Sequence, residues 1–322
     1  MILLFYYIPL HCKIILSLPS MKYDFKLAFL ISTHTDVLQL VRLINALPDN
    51  SVFFIHVDKK ADMIPFTNAF VDDCRVRFID HRVDVRWGSI NEVEYQMELV
   101  RAALNSGEQF DRLITLSGMD YPVWSKERII DFFERDKEKE YLAGTDVSYP
   151  WHASAIYQQY FFKVAKPGSG WKYYVTRALE RTLRLFGIKK PLQKKIGNKT
   201  YKLYTGAAWW AITPRLAAMI LHEWDTNVEL KNWLKYCMCP AELFAQTVAF
   251  NNDDWREKCM LNNANYSLPS LTPLTYIIWL NKEIKVLNED DYNIIMRSGK
   301  MYARKIVSGK SDRLVAMIDA NK

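Results

Sequence analysis

Residues 111–124, DRLITLSGMDYPVW, join a strand to a constrained turn. The first part, RLITLS at 112–117, is mostly apolar or β-branched, which is typical of a strand covered on both faces. Asp120 follows in a turn between Gly118 and Pro122. Ligands of open α/β sheets bind at the carboxyl ends of the strands, so Asp120 marks a candidate ligand-binding edge. An Asx-turn cap is the alternative role for this carboxylate.

Three more runs of strand length alternate with helical patterns. Asp36 can cap a helix over 37–47, and SINE at 89–92 has the form of a capping box that opens a helix ending near Gly107. The strand-like runs are KLAFLIS at 26–32, SVFFIHVD at 51–58 and VRFID at 76–80. Alternation of this kind predicts an α/β fold with a parallel sheet and helices on both faces.

The carboxyl ends of these strands should meet at one edge of the sheet. They bring polar groups there, namely His34, Asp58, Asp80 and Asp120. No GxGxxG or GxxxxGK loop follows any of the strands, which argues against dinucleotide-binding and P-loop proteins.

The second half of the chain is less regular. GAAWWAI at 206–212 predicts a strand, and Thr213 with Pro214 predicts a helix start. A helix is expected to begin near Ala241, which places Glu242 in its first turn.

Composition indicates a globular protein with a large core. The 322 residues are 50% hydrophobic and 14% aromatic, with a formal net charge of +7. The five cysteines include no CxxC pair, which argues against a disulfide framework and a structural zinc site and favours a reducing compartment.

The positive charge is concentrated in residues 176–202, which carry nine Lys or Arg and one acid, Glu180. The spacing predicts a basic amphipathic helix followed by a lysine-rich loop. This segment is either a solvated surface or a contact for an anionic membrane or acceptor.

Residues 1–20 are apolar but are interrupted by Pro9, His11 and Lys13. They are either a misassigned start before Met21 or a leader that contacts a membrane. We therefore expect the folded domain to span 21–322 and to act peripherally, on the cytoplasmic side of a membrane.

Six segments in order resemble the core-2/I-branching glycosyltransferases, a family that includes peptide O-xylosyltransferases. They are FFIHVDKK (53–60), VRWGSINEVEYQ (85–96), LITLSGMDYPV (113–123), GAAWWAIT (206–213), PAELFAQT (240–247) and KMYARKI (300–306). The resemblance implies a single-domain GT-A-like fold that binds a UDP-sugar and transfers the sugar with inversion and without a metal. In agreement, no two aspartates are spaced Asp-x-Asp, the usual metal-binding triplet of such folds.

The resemblance also implies roles for individual residues. Glu242 matches the catalytic base, although Ala241 replaces the acid that usually precedes it. The donor-binding residues are expected to be His34, Asp58, Asp120, Arg304 and Lys305. Trp87, Trp209 and Trp210 are candidates for the acceptor, and at most one of the adjacent pair is expected to touch substrate.

One departure concerns the diphosphate. Thr275 occupies the region where relatives often carry an arginine, so either Lys282, Lys285 or Arg304 substitutes for it or the donor site is weakened. The resulting hypothesis is a UDP-sugar transferase acting on a glycan, with no cofactor, no metal and no nucleic-acid partner. N-acetylglucosamine is the first choice of sugar and xylose the second. The alternative is a non-catalytic protein of the same fold that binds a polyanion or glycan.

Overall fold

The structure is a computed structural model. It describes residues 25–148, 151–162, 170–262, 268–280 and 283–322. The apolar segment 1–20 and Lys282, both named in the sequence predictions, lie outside the described residues.

A five-stranded sheet forms the centre of the described structure. Its strand order is β10-β4-β1-β2-β3, with β10 antiparallel to β4 and the others parallel. The strands are β1 (Leu27–Thr33), β2 (Ser51–Val57), β3 (Val76–Phe78), β4 (Arg112–Ser117) and β10 (Ala211–Ile212). The predicted strands and the predicted α/β fold are confirmed.

Helices cover both faces of this sheet because the strands are apolar on both faces. In β1, Ala28 and Leu30 belong to one buried cluster, which contains residues of α3, α7 and α9. Leu27, Phe29 and Ile31 belong to the other, which contains residues of α1 and α4. The helices are α1 (Val37–Ala46), α2 (Ile64–Ala69), α3 (Asn91–Leu104), α4 (Lys126–Arg135), α5 (Trp151–Tyr157), α6 (Trp171–Leu185), α7 (Pro214–Thr226), α8 (Val228–Leu234), α9 (Phe244–Phe250), α10 (Asp253–Arg256), α11 (Leu268–Leu271), α12 (Tyr292–Arg297) and α13 (Asp312–Asp319).

Smaller sheets surround the central one. Two have three strands, in the orders β11-β6-β9 and β12-β15-β5, and two are hairpins, β7-β8 and β13-β14. Their strands are β5 (Asp120–Pro122), β6 (Ala143–Asp146), β7 (Gln193–Ile196), β8 (Lys199–Lys202), β9 (Tyr204–Gly206), β11 (Met260–Leu261), β12 (Thr275–Ile277), β13 (Trp279–Leu280), β14 (Glu283–Ile284) and β15 (Tyr302–Arg304). The sheet that contains β5 and β15 brings Asp120 and Arg304 into register.

The predicted strand at 206–212 is wrong in extent. The chain forms β9, which pairs with β6, and then β10, which pairs with β4 in the central sheet. Gly206 allows this crossing, because a Cβ placed there would lie 2.0 Å from the Ala143 carbonyl oxygen. The residues between the two strands are therefore available to line a cavity.

Helix starts agree with the sequence at some positions and differ at others. Asp36 caps α1 by accepting a hydrogen bond from the Gln39 amide, and Thr213 caps α7. The capping box predicted at 89–92 is not formed, since α3 begins at Asn91 and the Glu92 carboxylate accepts from the Gly88 amide.

The basic segment differs from its prediction in its second half. The expected amphipathic helix is present as α6, but the expected lysine-rich loop contains the hairpin β7-β8. Among the described residues, none of the helices has the length and apolar content needed to span a bilayer. Peripheral membrane attachment and the domain boundary at residue 21 stay predictions.

Candidate active site

A cavity of about 370 Å³ opens at the carboxyl ends of β1, β2 and β4. We call it the first cavity. Six of the sequence-predicted site residues line it together: His34, Asp58, Trp87, Trp209, Glu242 and Arg304. The edge of the sheet identified from the sequence is therefore the site where the candidate residues meet.

His34 and Asp58 occupy this edge because they directly follow adjacent parallel strands. The Asp58 amide donates a 2.9 Å hydrogen bond to the Thr33 carbonyl, which joins the two strand ends. Partial burial lowers the pKa of His34, and Asp58 opposes that effect. Asp80, the corresponding residue after β3, is exposed and does not line the first cavity.

Lys60 joins two segments that line the first cavity. Its Nζ lies 2.8 Å from Asp58 Oδ1, 2.6 Å from Asp84 Oδ1 and 2.6 Å from the Val85 carbonyl oxygen. These contacts tie the end of β2 to the segment that leads to Trp87. The Asp58 carboxylate is thus already paired with a cation of the chain.

Arg304 enters the first cavity from β15. Its Nη1 donates a 2.8 Å hydrogen bond to Asp120 Oδ1, and its guanidinium lies 5.0 Å from the centre of the Trp209 ring. Its Nε is buried without a hydrogen-bond partner in the described structure. The cation is therefore fixed in position, with one of its N–H groups still unsatisfied.

The structure corrects the predicted role of Asp120. It was predicted to bind the donor, but its side chain is fully buried and lies outside the first cavity. Its carboxylate accepts from the Ser117 amide and from Arg304. Burial raises the pKa of Asp120, and the Arg304 charge opposes this. Asp120 is thus a positioning residue for Arg304 and a turn cap at once.

Lys305 lies next to the first cavity without lining it. It is half-buried, and its charge helps to lower the pKa of His34. Lys285, another candidate cation, is paired with Asp291 at 2.7 Å. Arg304 is consequently the predicted phosphate ligand that the structure places in the cavity wall.

The adjacent tryptophans point in opposite directions. Trp209 lines the first cavity, whereas Trp210 is 1% exposed and packs in the core. Trp210 is therefore not an acceptor residue. This agrees with the expectation that at most one of the two adjacent rings touches substrate. Trp87 lies at the exposed rim of the first cavity.

Glu242 is the last residue of a 3₁₀ helix, Pro240–Glu242, and precedes α9. The expected position in the first turn of an α-helix is thus wrong. Burial, together with the nearby charge of Glu92, raises the pKa of Glu242 to about 7. A carboxyl group with this pKa can accept a proton near neutral pH.

A second cavity, of about 360 Å³, adjoins the first. The two share Trp209, Glu242 and Trp279. Thr275 lines the second cavity, as does Lys300, whose Nζ donates to the Thr272 and Pro273 carbonyls. Burial lowers the pKa of Lys300. Glu242 therefore lies in the wall between two spaces that could hold two substrates.

Sequence reasoning missed several residues of this site. The sequence predicts that Glu92 is part of a capping box, whereas in the structure it lines the first cavity. His56 lines it too, with Nε2 accepting from the Val83 amide and its ring stacked on Tyr95. Burial lowers the pKa of His56 to about 4, so this ring is neutral at pH 7. The sequence does contain a signal for His56. It is two residues from Asp58, and side chains two residues apart along a strand lie on the same face.

Within the part of the chain that the structure describes, no group of three or more His, Cys, Asp or Glu side chains could hold a metal ion. Independence from metals stays a prediction.

Relatives of known name match most of the chain. A human protein named probable β-1,3-galactosyl-O-glycosyl-glycoprotein β-1,6-N-acetylglucosaminyltransferase 7 is 24% identical over 221 residues, which are 66% of this chain and 46% of the relative. Human xylosyltransferase 2 is 22% identical over 273 residues, 76% of this chain and 28% of the relative. The chain spans less than half the length of these relatives.

The solved apo structure of mouse xyloside xylosyltransferase 1 shares 9% identity with the chain. It covers 87% of this chain and 97% of its own, with a TM-score of 0.36. The family model described as Core-2/I-Branching enzyme matches residues 27–289. This match spans well over half of the sequence and confirms the resemblance, and the chain belongs to the Core-2/I-branching enzyme family.

Proposed function

We propose that the protein is an inverting glycosyltransferase that moves a sugar from a UDP-sugar to a hydroxyl group of a glycan without a metal ion. The position of Glu242 between two adjoining cavities carries this proposal. The names of the relatives support N-acetylglucosamine as the first choice of sugar and xylose as the second.

In the proposed reaction, the donor occupies the first cavity and the acceptor approaches from the second. Glu242 takes the proton of the acceptor hydroxyl while that oxygen attacks the anomeric carbon. The bond between the anomeric carbon and the β-phosphate oxygen breaks, and its electron pair leaves with UDP. Attack from the side opposite the leaving group inverts the anomeric configuration.

Negative charge develops on the diphosphate as this bond breaks. A preorganised cation near that charge lowers the barrier, because it needs no rearrangement during the reaction. Arg304 meets this requirement, since Asp120 and Trp209 fix its guanidinium. Lys305, next in the chain, adds positive charge beside the same cavity.

The pKa of Glu242 supports its role as the base. At about 7, it makes the carboxylate more basic than an ordinary glutamate and still available near neutral pH. His56 is a weaker base, because its pKa is about 4 and its Nε2 already accepts from the Val83 amide, and the Asp58 carboxylate is paired with Lys60. Glu242 differs from both because it also lines the second cavity.

The variant Glu242→Gln tests the proposal. It keeps the size and polarity of the side chain but cannot take a proton, so transfer from UDP-N-acetylglucosamine or UDP-xylose is expected to fall by about a thousandfold or more. UDP affinity, measured by calorimetry, is expected to stay near that of the native protein. Glu229→Gln, on an exposed part of α8, is the control.

Four results would contradict the proposal or one of its parts. Full transfer activity in Glu242→Gln would show that Glu242 is not the catalytic base. Equal losses of transfer and of UDP binding would show that Glu242 has a structural role. Retention of anomeric configuration in the product, read by NMR, would contradict inversion. If the native protein bound polyanions but not UDP, the non-catalytic alternative would replace the proposal.

A further inference from the structure

Helix α6 packs on the protein through its charged side. Glu180 is 2% exposed, and its carboxylate accepts a hydrogen bond from the Phe162 amide at 2.7 Å and from Arg177 Nη1 at 2.5 Å. Tyr173 and Leu183, on the same side of the helix, are half-buried. The sole acid of the segment 171–202 is therefore neutralised inside the structure.

The opposite side of α6 is apolar and exposed. Trp171 is 70% exposed, Leu185 is 87% exposed and Phe186, just after the helix, is 78% exposed. Tyr174 and Val175 are exposed between them. Spacings of three, four and eleven residues place these side chains on one stripe along the helix. An amphipathic helix that only covered a core would bury its apolar side and expose its charged side.

Cations border this stripe. At 100° per residue, Lys172 lies along one edge of the stripe and Arg181 along the other, and both are exposed. Exposed lysines continue after the helix at Lys189 and, in the hairpin β7-β8, at Lys195 and Lys199. The exposed charges of residues 171–202 are thus all positive.

We propose that α6 binds to the surface of a membrane that contains anionic phospholipids. The apolar stripe inserts among the acyl chains, the bordering cations contact the lipid phosphates, and the rings of Trp171 and Tyr174 lie at the level of the headgroups. Helices that lie in a membrane interface combine these features.

Charge distinguishes this occupant from two others. A second copy packed on the same stripe would bring like-charged borders close to each other, which disfavours a dimer. A soluble polyanion would pair with the cations but would leave the apolar stripe in water. An anionic lipid surface both buries the apolar stripe of α6 and pairs with the cations that border it.

The full-length protein can be tested by co-sedimentation with vesicles of phosphatidylcholine, with and without phosphatidylglycerol. We expect binding to the phosphatidylglycerol vesicles, weakened by added salt. The double variant Leu185→Ser/Phe186→Ser is expected to weaken binding by about tenfold, because it removes inserted apolar surface. Val71→Ser, at a 78% exposed valine outside α6, is the matched control.

The cations are tested separately by Lys172→Gln/Arg181→Gln. Each lost charge is expected to weaken binding to phosphatidylglycerol vesicles by about fivefold. Lys310→Gln, at an exposed lysine outside the segment, is expected to bind as the native protein does. Thermal unfolding is expected to be unchanged in every variant because these side chains are exposed, and transfer to a soluble acceptor because they lie outside both cavities.

Three outcomes would overturn the proposal. They are failure of the native protein to bind phosphatidylglycerol vesicles, equal binding by Leu185→Ser/Phe186→Ser, and a native dimer that this variant dissociates without lipid. The last result, measured by sedimentation velocity, would assign the stripe to a second copy instead.

Discussion

Arg304 and Asp120 form an ion pair with a 2.8 Å contact between Nη1 and Oδ1, although 184 residues separate them in the chain. They are also cross-strand partners in β15 and β5. The backbone pairing and the side-chain pairing thus fix the same cation at the first cavity. This relationship assigns Asp120 to the positioning of Arg304.

The first prediction concerns this pair. Asp120→Asn removes the charge that holds Arg304, and we expect UDP to bind about tenfold more weakly, as for loss of one charge-assisted hydrogen bond. The unfolding temperature is also expected to fall, because a half-buried cation loses its partner. Calorimetry and thermal unfolding measure the two effects. Asp80→Asn, at the exposed strand end, is expected to change neither, and native UDP affinity in Asp120→Asn would disprove the positioning role.

The second prediction separates two neighbouring tryptophans. Trp210→Ala empties part of the core and is expected to reduce the free energy of unfolding by about 3–5 kcal/mol. Trp209→Ala removes the ring beside Arg304 and is expected to cost far less stability but to impair transfer strongly. Denaturant unfolding and transfer rates measure the two variants. Similar losses of stability in both would contradict the opposite orientations of the two rings.

The third prediction is a pH dependence. Since the base must be deprotonated, kcat/KM for transfer is expected to rise with pH and to level off above about 7, the pKa of Glu242. Glu92→Gln removes a like charge, so it lowers the pKa of Glu242 and moves the rise to lower pH. Glu94→Gln, whose carboxylate pairs with Asn91 instead, is the control. A profile that Glu92→Gln leaves unmoved would show that the two carboxylates do not interact.

The fourth prediction concerns metals. Because Arg304 and Lys305 are proposed to balance the charge of the diphosphate, transfer in excess EDTA is expected to proceed at the native rate. A manganese-dependent transferase assayed in parallel shows that chelation is complete. A rate that falls with EDTA and returns with Mn²⁺ would require a metal site in this protein.

Much of the fold follows from the sequence because strands buried on both faces have a simple pattern. The runs at 26–32 and 51–58 predicted β1 and β2 to within about a residue. The rule that parallel strands end at one edge then placed His34 beside Asp58. These predictions depend only on local composition and on strand direction.

Other features depend on contacts between distant segments. The position of Arg304 relative to Asp120 follows from the pairing of β15 with β5, which no local pattern predicts. The position of Glu92 in the sequence is typical of a capping box. In the structure α3 begins at Asn91, and Glu92 lines the first cavity instead. Lys300 lay in a segment quoted for the family resemblance, but its place in the second cavity depends on the fold of residues 272–275.

The orientation of α6 could not be predicted for the same reason. The sequence indicates the periodicity of this helix but not which side of it packs on the protein. The Phe162 amide and Arg177 satisfy Glu180, and this polar contact turns the apolar side outward. Periodicity identifies two faces of a helix without deciding which of them is buried.

The contacts of Lys60 hold together two segments that line the first cavity. One exposed ammonium group joins Asp58, Asp84 and the Val85 carbonyl, and the chain reaches Trp87 two residues later. Dissolved ions weaken attractions between exposed charges. The residence time of a molecule bound in the first cavity is therefore expected to shorten as ionic strength rises.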